Sequence, residues 1–300
     1  MKTNKGAAGM ARKDALPARI YQKIKAGFVV SPRKELKATK VFSVNTDFAE
    51  YVKNITYEKY TAEGEAAIVA EGSKNIPVLN DYVDDVTQKV VTIKQALVIT
   101  DLERKALAAG NQEFQTRRVS EIRYRINVKM DTTTFKGDKQ YKISGLLDFA
   151  GTKTYDFAKD IATMSGFEIL EALRALKQKT RENDAIYDAN VLLIPSSYMV
   201  YFTKGMSADN PRTVMSYIKE EAMFELIEDI SALDDLKGTG KPKMVAIDAD
   251  KENIELAIIQ EPQQLSEKED EADNLQINFG ARLAGLMVYH SQALTYVSQP

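Results

Sequence analysis

One histidine, no cysteine and no tryptophan occur in 300 residues. That inventory leaves few routes to chemistry. Without Cys there is no thiolate nucleophile, no Cys-ligated zinc and no iron–sulfur cluster. One His excludes a multi-His metal site within a single chain. A Ser/His/Asp triad would have to use His290, which lies in the apolar run LMVYHSQALTYV; a lone His there reads as packed or exposed. KGTGKPK (Lys237–Lys243) contains Gly-x-Gly-Lys. A P-loop needs a longer spacing, then Ser or Thr, then a helix. Here Pro242 follows the Lys and a strand comes next, so a flexible turn is expected. SEKEDEAD (Ser266–Asp273) is dense in carboxylates but lacks the alternating ligands and the Gly of a calcium loop, so it reads as a solvated loop. FKGDKQYKISGLLDF (Phe135–Phe149) pairs Gly with Asp and then repeats a Gly. It has no His or Cys nearby, no metal-ligand spacing and no phosphate cradle. A structural joint is the expectation, with no enzyme activity, no cofactor and no metal.

The elements around these stretches follow from periodicity. Residues 1–40 mix Gly, Ala, Lys and Arg with Pro17 and Pro32, which suggests a mobile arm with one short helix at most, around Ala18–Ala26. ITYEKYT (Ile55–Thr61) and QKVVTIKQALVIT (Gln88–Thr100) alternate as strands. A polar stretch separates them, so the simplest picture is a long β-hairpin with a loose tip. A two-stranded ribbon is marginal alone in water and needs a partner surface. Asp101 is a fitting N-cap for a helix. Beyond it Leu102, Ala106, Ala109, Val119, Ile122, Ile126 and Met130 recur at three and four residues, which predicts a helix of about eight turns that Gly110 could bend. KGDK is turn chemistry and YKISGLLDF a short strand or extended piece. SGFE (Ser165–Glu168) is a capping box opening a helix with Ile169, Leu170, Leu173 and Leu176 on its apolar stripe. ANVLLIPSSY, KMVAIDAD and IELAIIQ read as strands, RTVMSYIKEEAMF as a helix, and the C-terminus as strand-rich. The fold class is α+β.

Charge is unevenly spread over a chain whose net charge is −2. Residues 1–40 hold eleven Lys or Arg against two acids, and residues 220–273 hold seventeen acids against five Lys. A basic arm and an acidic region suggest two faces that meet different surroundings. The basic residues of the long helix, Arg117, Arg118, Arg123 and Arg125 among them, are interleaved with Glu103, Glu113 and Glu121 and lack the aromatics of a single-strand platform. Non-specific contact with packaged nucleic acid and ion pairs between subunits both remain open for that face, and likewise for the arm. No apolar stretch is long enough to span a bilayer, and the N-terminus lacks the apolar segment of a secretory signal. A soluble chain without membrane partners is expected.

The order of these elements resembles the major capsid proteins of tailed bacteriophages, which share the Hong Kong 97-type fold with encapsulin shells. Within them it is similar to the encapsulin-like major capsid family. The likeness rests on Ile99–Phe149, MVAIDADKENIELAIIQEPQQL (Met244–Leu265) and ARLAGLMVYHSQALTY (Ala281–Tyr296), and covers about residues 45–298. Two departures are local: Asp148 stands where the family tends to have Asn, and HSQALTY stands where it tends to have Pro.

The resemblance implies a division into a basic N-terminal arm (1–45), an extended hairpin loop and its base (46–100), a spine helix and peripheral domain (101–164), an axial domain (165–250) and return strands (251–300). It implies a structural protein that assembles with itself as hexamers and pentamers into an icosahedral virion shell around double-stranded DNA, in the host cytoplasm. Portal, scaffold or decoration proteins are further partners of such shells. A nanocompartment shell holding a cargo enzyme is the alternative. The hairpin residues expected at subunit contacts are Glu63, Glu65, Glu71, Lys74, Asp84 and Asp85. The axial tip is expected at Leu233–Lys243, with Asp234, Asp235, Lys237 and Lys241, or at Gly205–Pro211.

Overall fold

In the computed structural model the described residues are 33, 35–63, 78, 80–108, 112–181, 186–207, 209–234, 242–269 and 273–298. The arm before Arg33, with its expected short helix, lies outside them, as does most of the Gly-x-Gly-Lys turn. The chain divides into two compact units. The first combines Met1–Glu35, Lys94–Ile126 and Pro262–Gly280; the second combines Leu36–Ile93, Asn127–Glu261 and Ala281–Pro300.

A short helix α1 (Ala38–Val41) and strand β1 (Ser43–Asn45) lead to β2 (Asn54–Glu63) and β3 (Asn80–Lys89). These two pair antiparallel from Asn54↔Lys89 to Glu63↔Asn80 and form a two-stranded sheet by themselves. The hairpin is therefore present, but its second strand is not the one the alternation suggests. Val90 is buried and gives its N–H to Lys53 O (2.9 Å). The consecutive Val90 and Val91 break the two-residue period there. The chain then continues as β4 (Val91–Ile99), the edge of a different sheet in which β1, β9 (Ile254–Glu269), β10 (Leu275–Val288) and β4 lie side by side in that order. The alternation read over Gln88–Thr100 thus spans two strands. Within β4 it holds: Leu97 and Ile99 are buried while Thr92, Lys94, Ala96 and Val98 are exposed.

Two helices come next, α2 (Asp101–Ala108) and α3 (Gln112–Lys136). Thr100, not Asp101, caps the first: Glu103 N donates to Thr100 Oγ1 (3.3 Å), and Thr100 N donates to Glu103 Oε2 (3.0 Å). This reciprocal pair is a capping box one residue earlier than expected. In α3, Ile122, Ile126 and Met130 are buried as their spacing predicts.

The joint after α3 is not a strand. Gly137 takes a left-handed backbone (φ +68°) and its N–H closes on Thr133 O (2.8 Å), which ends the helix. Asp138 and Ile143 exchange both main-chain hydrogen bonds around a tight turn, and Asp138 Oδ1 accepts from Gln140 N (3.1 Å). A second turn closes when Asp148 N donates to Gly145 O, and Asp148 Oδ2 accepts from Gly145 N, both at 3.0 Å. Leu146 is fully buried, gives its N–H to Phe135 O and accepts from Tyr296 Oη (2.6 Å).

Beyond the joint, β5 (Lys153–Asp156), β6 (Val191–Pro195), β7 (Leu226–Ile230), β8 (Met244–Ile247) and β11 (Leu294–Ser298) form a mixed sheet in the order β5-β11-β8-β6-β7. Every residue of β6 and β8 is buried, the pattern of central strands. Helix α4 (Gly166–Thr180) starts at the expected capping box on Ser165 and Glu168 and buries Ile169, Leu170, Leu173 and Leu176. Those side chains share one core with Leu192, Ile194, Met244 and Ala246 of the sheet and with Phe202, Val214 and Ile218. Phe202 closes α5 (Met199–Phe202), and the last two belong to α6 (Val214–Glu220), capped by Thr213. Strands β9 (Ile254–Glu269) and β10 (Leu275–Val288) are longer than the sequence suggests. Ser266–Glu269, expected as a loop, is the exposed end of β9. Its backbone pairs as a strand although its side chains carry no hydrophobic signal to mark one.

Candidate functional site

Among the described residues the hairpin is anchored at its root. Ile55 is buried in a small cluster with Val90, Ala257, Ile259, Ala284 and Met287. Tyr57 Oη donates to Val288 O (3.4 Å) and accepts from Val288 N (3.3 Å), while its ring stands edge-on to Tyr289 at 5.2 Å. Burial pushes the Tyr57 phenol above its usual range, against the hydrogen bond to Val288. Gln88 Nε2 donates to Leu286 O, and Lys59 Nζ donates to Ser291 Oγ (3.2 Å). Farther out, Val83 is 54% exposed.

The outer face of the ribbon is polar. Thr56 and Thr87 hydroxyls meet across the strands at 3.0 Å. Glu58 lies directly opposite Asp85, and both are exposed. Like charges directly opposite destabilise a strand pair, so Glu58 and Asp85 work against the ribbon on the face where Thr56 and Thr87 support it. Asp84 is exposed and lies opposite Lys59, whose ammonium turns instead to Ser291. Of the other expected contact residues, Glu65, Glu71 and Lys74 lie outside the described residues, and Glu63 is placed only as the last residue of β2.

The four arginines on α3 do not share one face. At about 100° per residue, Arg118 and Arg125 lie on one side, Arg117 about a quarter-turn away and Arg123 on the far side. Arg118 turns inward: its guanidinium donates to Val98 O (2.8 Å) and pairs with buried Glu103 (3.4 Å). Arg125 pairs with Glu121 (3.0 Å). Arg117 and Arg123 are exposed. The expectation of a single basic face is corrected to a scatter of cations around the helix, Arg118 and Arg125 among them engaged by acids of the same chain. Arg33, the first described residue, donates to Ser120 Oγ (3.1 Å) and lies over the Tyr124 ring (5.2 Å) on the same helix.

A second anchor has no obvious sequence signal. Asp131 Oδ1 accepts from the N–H groups of Lys37 (2.8 Å) and Ala38 (2.7 Å), which starts α1. Lys37 and Lys40, on one side of that turn, both pair with Glu228 of β7, whose side chain is 7% exposed. Burial raises the Glu228 carboxyl, and the Lys37 and Lys40 ammoniums more than offset it, so the group titrates below its ordinary 4.5. Stability from this clamp is therefore complete above about pH 4.5 and lost as pH falls through the lowered value. Hydrogen exchange of Leu36–Val41 is expected to accelerate in acid for the natural chain. In Glu228→Gln it should be fast already at neutral pH and change little on acidification. Equal protection of the two proteins at pH 7 would refute the clamp.

At the end of the mixed sheet, Asp234 accepts from Ser197 N (2.9 Å). Asp235, Lys237 and Lys241 lie outside the described residues. In the other expected tip, Gly205 bridges Thr213 and Asn210 Nδ2 donates to Tyr217 Oη (2.9 Å). His290 lies beside the Tyr187 ring, with 5.9 Å between centroids. Among the described residues no group of three or more His, Asp or Glu could hold a metal ion, and no helix is long and apolar enough to cross a membrane.

A family model described as major capsid protein matches residues 64–299. No curated protein matches the chain in sequence. Among solved structures, the capsid of Myoviridae phage XM1 superposes with a TM-score of 0.75 at 16% identity, covering 94% of this chain and 98% of that one. A Mycobacterium phage Bobi chain gives 0.64 at 12% identity over 94% and 97%. A virus-like particle from Pyrococcus furiosus gives 0.57 at 12% identity over 87% and 92%. At such identities the likeness establishes the fold, which is that of Hong Kong 97-like capsids.

Proposed function

Because this chain belongs to the major capsid protein family, we propose that its hairpin is an arm laid over a neighbouring copy in a closed shell. The observation that carries this is the ribbon itself: ten paired positions in a sheet of two strands, anchored among the described residues at the root. A ribbon of that kind gains its stability from a surface outside its own subunit. The chain is a structural capsid protein that assembles with itself, and its place is the virion shell.

The finer reading is that copies gather as hexamers and pentamers in an icosahedral shell around double-stranded DNA, assembled in the host cytoplasm, without a catalytic step. In that reading residues 1–45 are the arm, 46–100 the hairpin and its base, 101–164 the spine helix and peripheral domain, 165–250 the axial domain and 251–300 the return strands. The axial tip, at Leu233–Lys243 or Gly205–Pro211, meets its symmetry mates, and portal, scaffold or decoration proteins complete the particle. The exposure of Arg117 and Arg123 supports contact with phosphates. A compartment around a cargo protein is the second reading, and likeness to a virus-like particle from Pyrococcus furiosus is in keeping with a shell of that kind. Electron microscopy of the purified chain tests the shared core of both, since shells, tubes or rings are expected. A monomer under all salt and pH conditions would refute it. Nuclease-protected DNA inside particles recovered from cells separates the genome reading from the cargo reading.

A further inference from the structure

The root of the hairpin contains a cleft of about 270 Å³, lined by Lys59 of β2, Lys89 of β3 and Lys142 of the Gly-Asp turn. Its one lining carboxylate among the described residues, Asp148, turns Oδ2 to the Gly145 N–H. The ammoniums of Lys89 and Lys142 have no partner among the described residues. Gln88 also lines the cleft: its Nε2 is used on Leu286 O, and its Oε1, shielded from solvent, accepts nothing from the described residues. A buried acceptor without a donor is costly. The cleft thus presents three lysines against one carboxylate among its described lining residues, and it asks for negative charge. Lys142 adds a third sign, because it holds a left-handed backbone (φ 58°) at a position where Gly would be easier. Backbone strain of that kind clusters at ligand clamps and switch regions.

We infer that this cleft receives the acidic end of a second copy's hairpin. The inference rests on the proposed reading that the hairpin reaches a neighbour. Residues 63–85 carry six acids, Glu63, Glu65, Glu71, Asp81, Asp84 and Asp85, against Lys74 alone. A segment of that composition supplies several carboxylates to the lysines at once. Ten residues of strand reach about 33 Å from the root, far enough to leave the subunit. Acidic end into basic root is a head-to-tail contact, and such contacts generate rings when the rotation closes.

The test uses full-length protein and the concentration at which particles form, read by light scattering and electron microscopy. Lys142→Glu is expected to raise that concentration at least about tenfold, in the range for truncating a desolvated interfacial charge. Lys142→Gly relieves the backbone while deleting the cation, so it should raise the subunit's melting temperature and still impair assembly. Adding Glu65→Lys or Glu71→Lys to Lys142→Glu should restore particles. Lys142 variants that assemble as the natural chain does, while a chain lacking Glu63–Asp85 fails, would overturn this inference and leave the parent reading intact. Normal assembly of that deleted chain would overturn the parent reading. Failure of every acid reversal to rescue would overturn the choice of occupant. Duplex DNA binding by the subunit that disappears in Lys142→Glu would assign the cleft to phosphates instead.

Discussion

Deleting Glu63–Asp85 is expected to leave a soluble, folded subunit that forms no closed particles. The root anchors all fall outside the deletion: Ile55 in its cluster, Tyr57 on Val288, Gln88 on Leu286 and Val90 on Lys53. Tyr57 pairs with Val86 in the natural ribbon. After the deletion that pair can stay, with Glu58–Ala62 closing the turn as a five-residue loop, a common hairpin length. Neither the core around α4 nor the turns at Gly137 and Gly145 draw on the deleted residues. Thermal unfolding should therefore change little, while particles vanish from sedimentation and electron micrographs. An unfolded or aggregated deletion product would show that the ribbon belongs to the subunit's own core. Particles of normal size would show that the ribbon is dispensable to the shell.

The sequence reveals the parts of this fold whose signals are local. Ser165 and Glu168 mark a helix start because both halves of the capping box lie within four residues. Leu173 and Leu176 mark its buried side by spacing alone, and Gly137 marks the end of α3. Signals that depend on distant partners mislead. Gln88–Thr100 reads as one alternating strand, yet it belongs to two sheets, and the Val90–Val91 doublet marks a break that the hydrogen bond from Val90 to Lys53 makes plain. Four arginines within nine residues look like a face, but Glu103 and Val98 draw Arg118 inward. The Lys37–Glu228 clamp joins residues 191 positions apart, and nothing in either neighbourhood announces the other. The cleft lysines come from three separate segments and are invisible in the sequence for the same reason. Asp84 and Asp85 are legible as exposed acids, though not that Asp85 would face Glu58.

Gly145→Ala is expected to destabilise the subunit by about 1–3 kcal/mol or more, the range for overpacking. The direction is informative, because Gly→Ala at a compatible position stabilises by about 0.4–1 kcal/mol through the unfolded chain. At Gly145 a methyl would stand 2.3 Å from Gly137 N and 2.4 Å from Lys136 C, both main-chain atoms. At Gly137 it would stand 2.5 Å from Gly145 N, on a backbone already at φ +68°. The two glycines thus let the end of α3 and the second turn touch main chain to main chain. That contact sets Leu146 under Phe135 and within reach of Tyr296 on β11. A displaced joint would loosen both hydrogen bonds at once. Gly205→Ala is the control, since its nearest neighbour would lie at 3.4 Å, ordinary contact. Melting temperatures should fall clearly for Gly145→Ala and stay near the natural value for Gly205→Ala. Gly137→Ala combined with Gly145→Ala should cost less than the sum of the two single changes, because the same displacement of backbones relieves both clashes. Full additivity would mean that the two glycines act separately, and an unchanged melting temperature for Gly145→Ala would mean that the joint yields without cost.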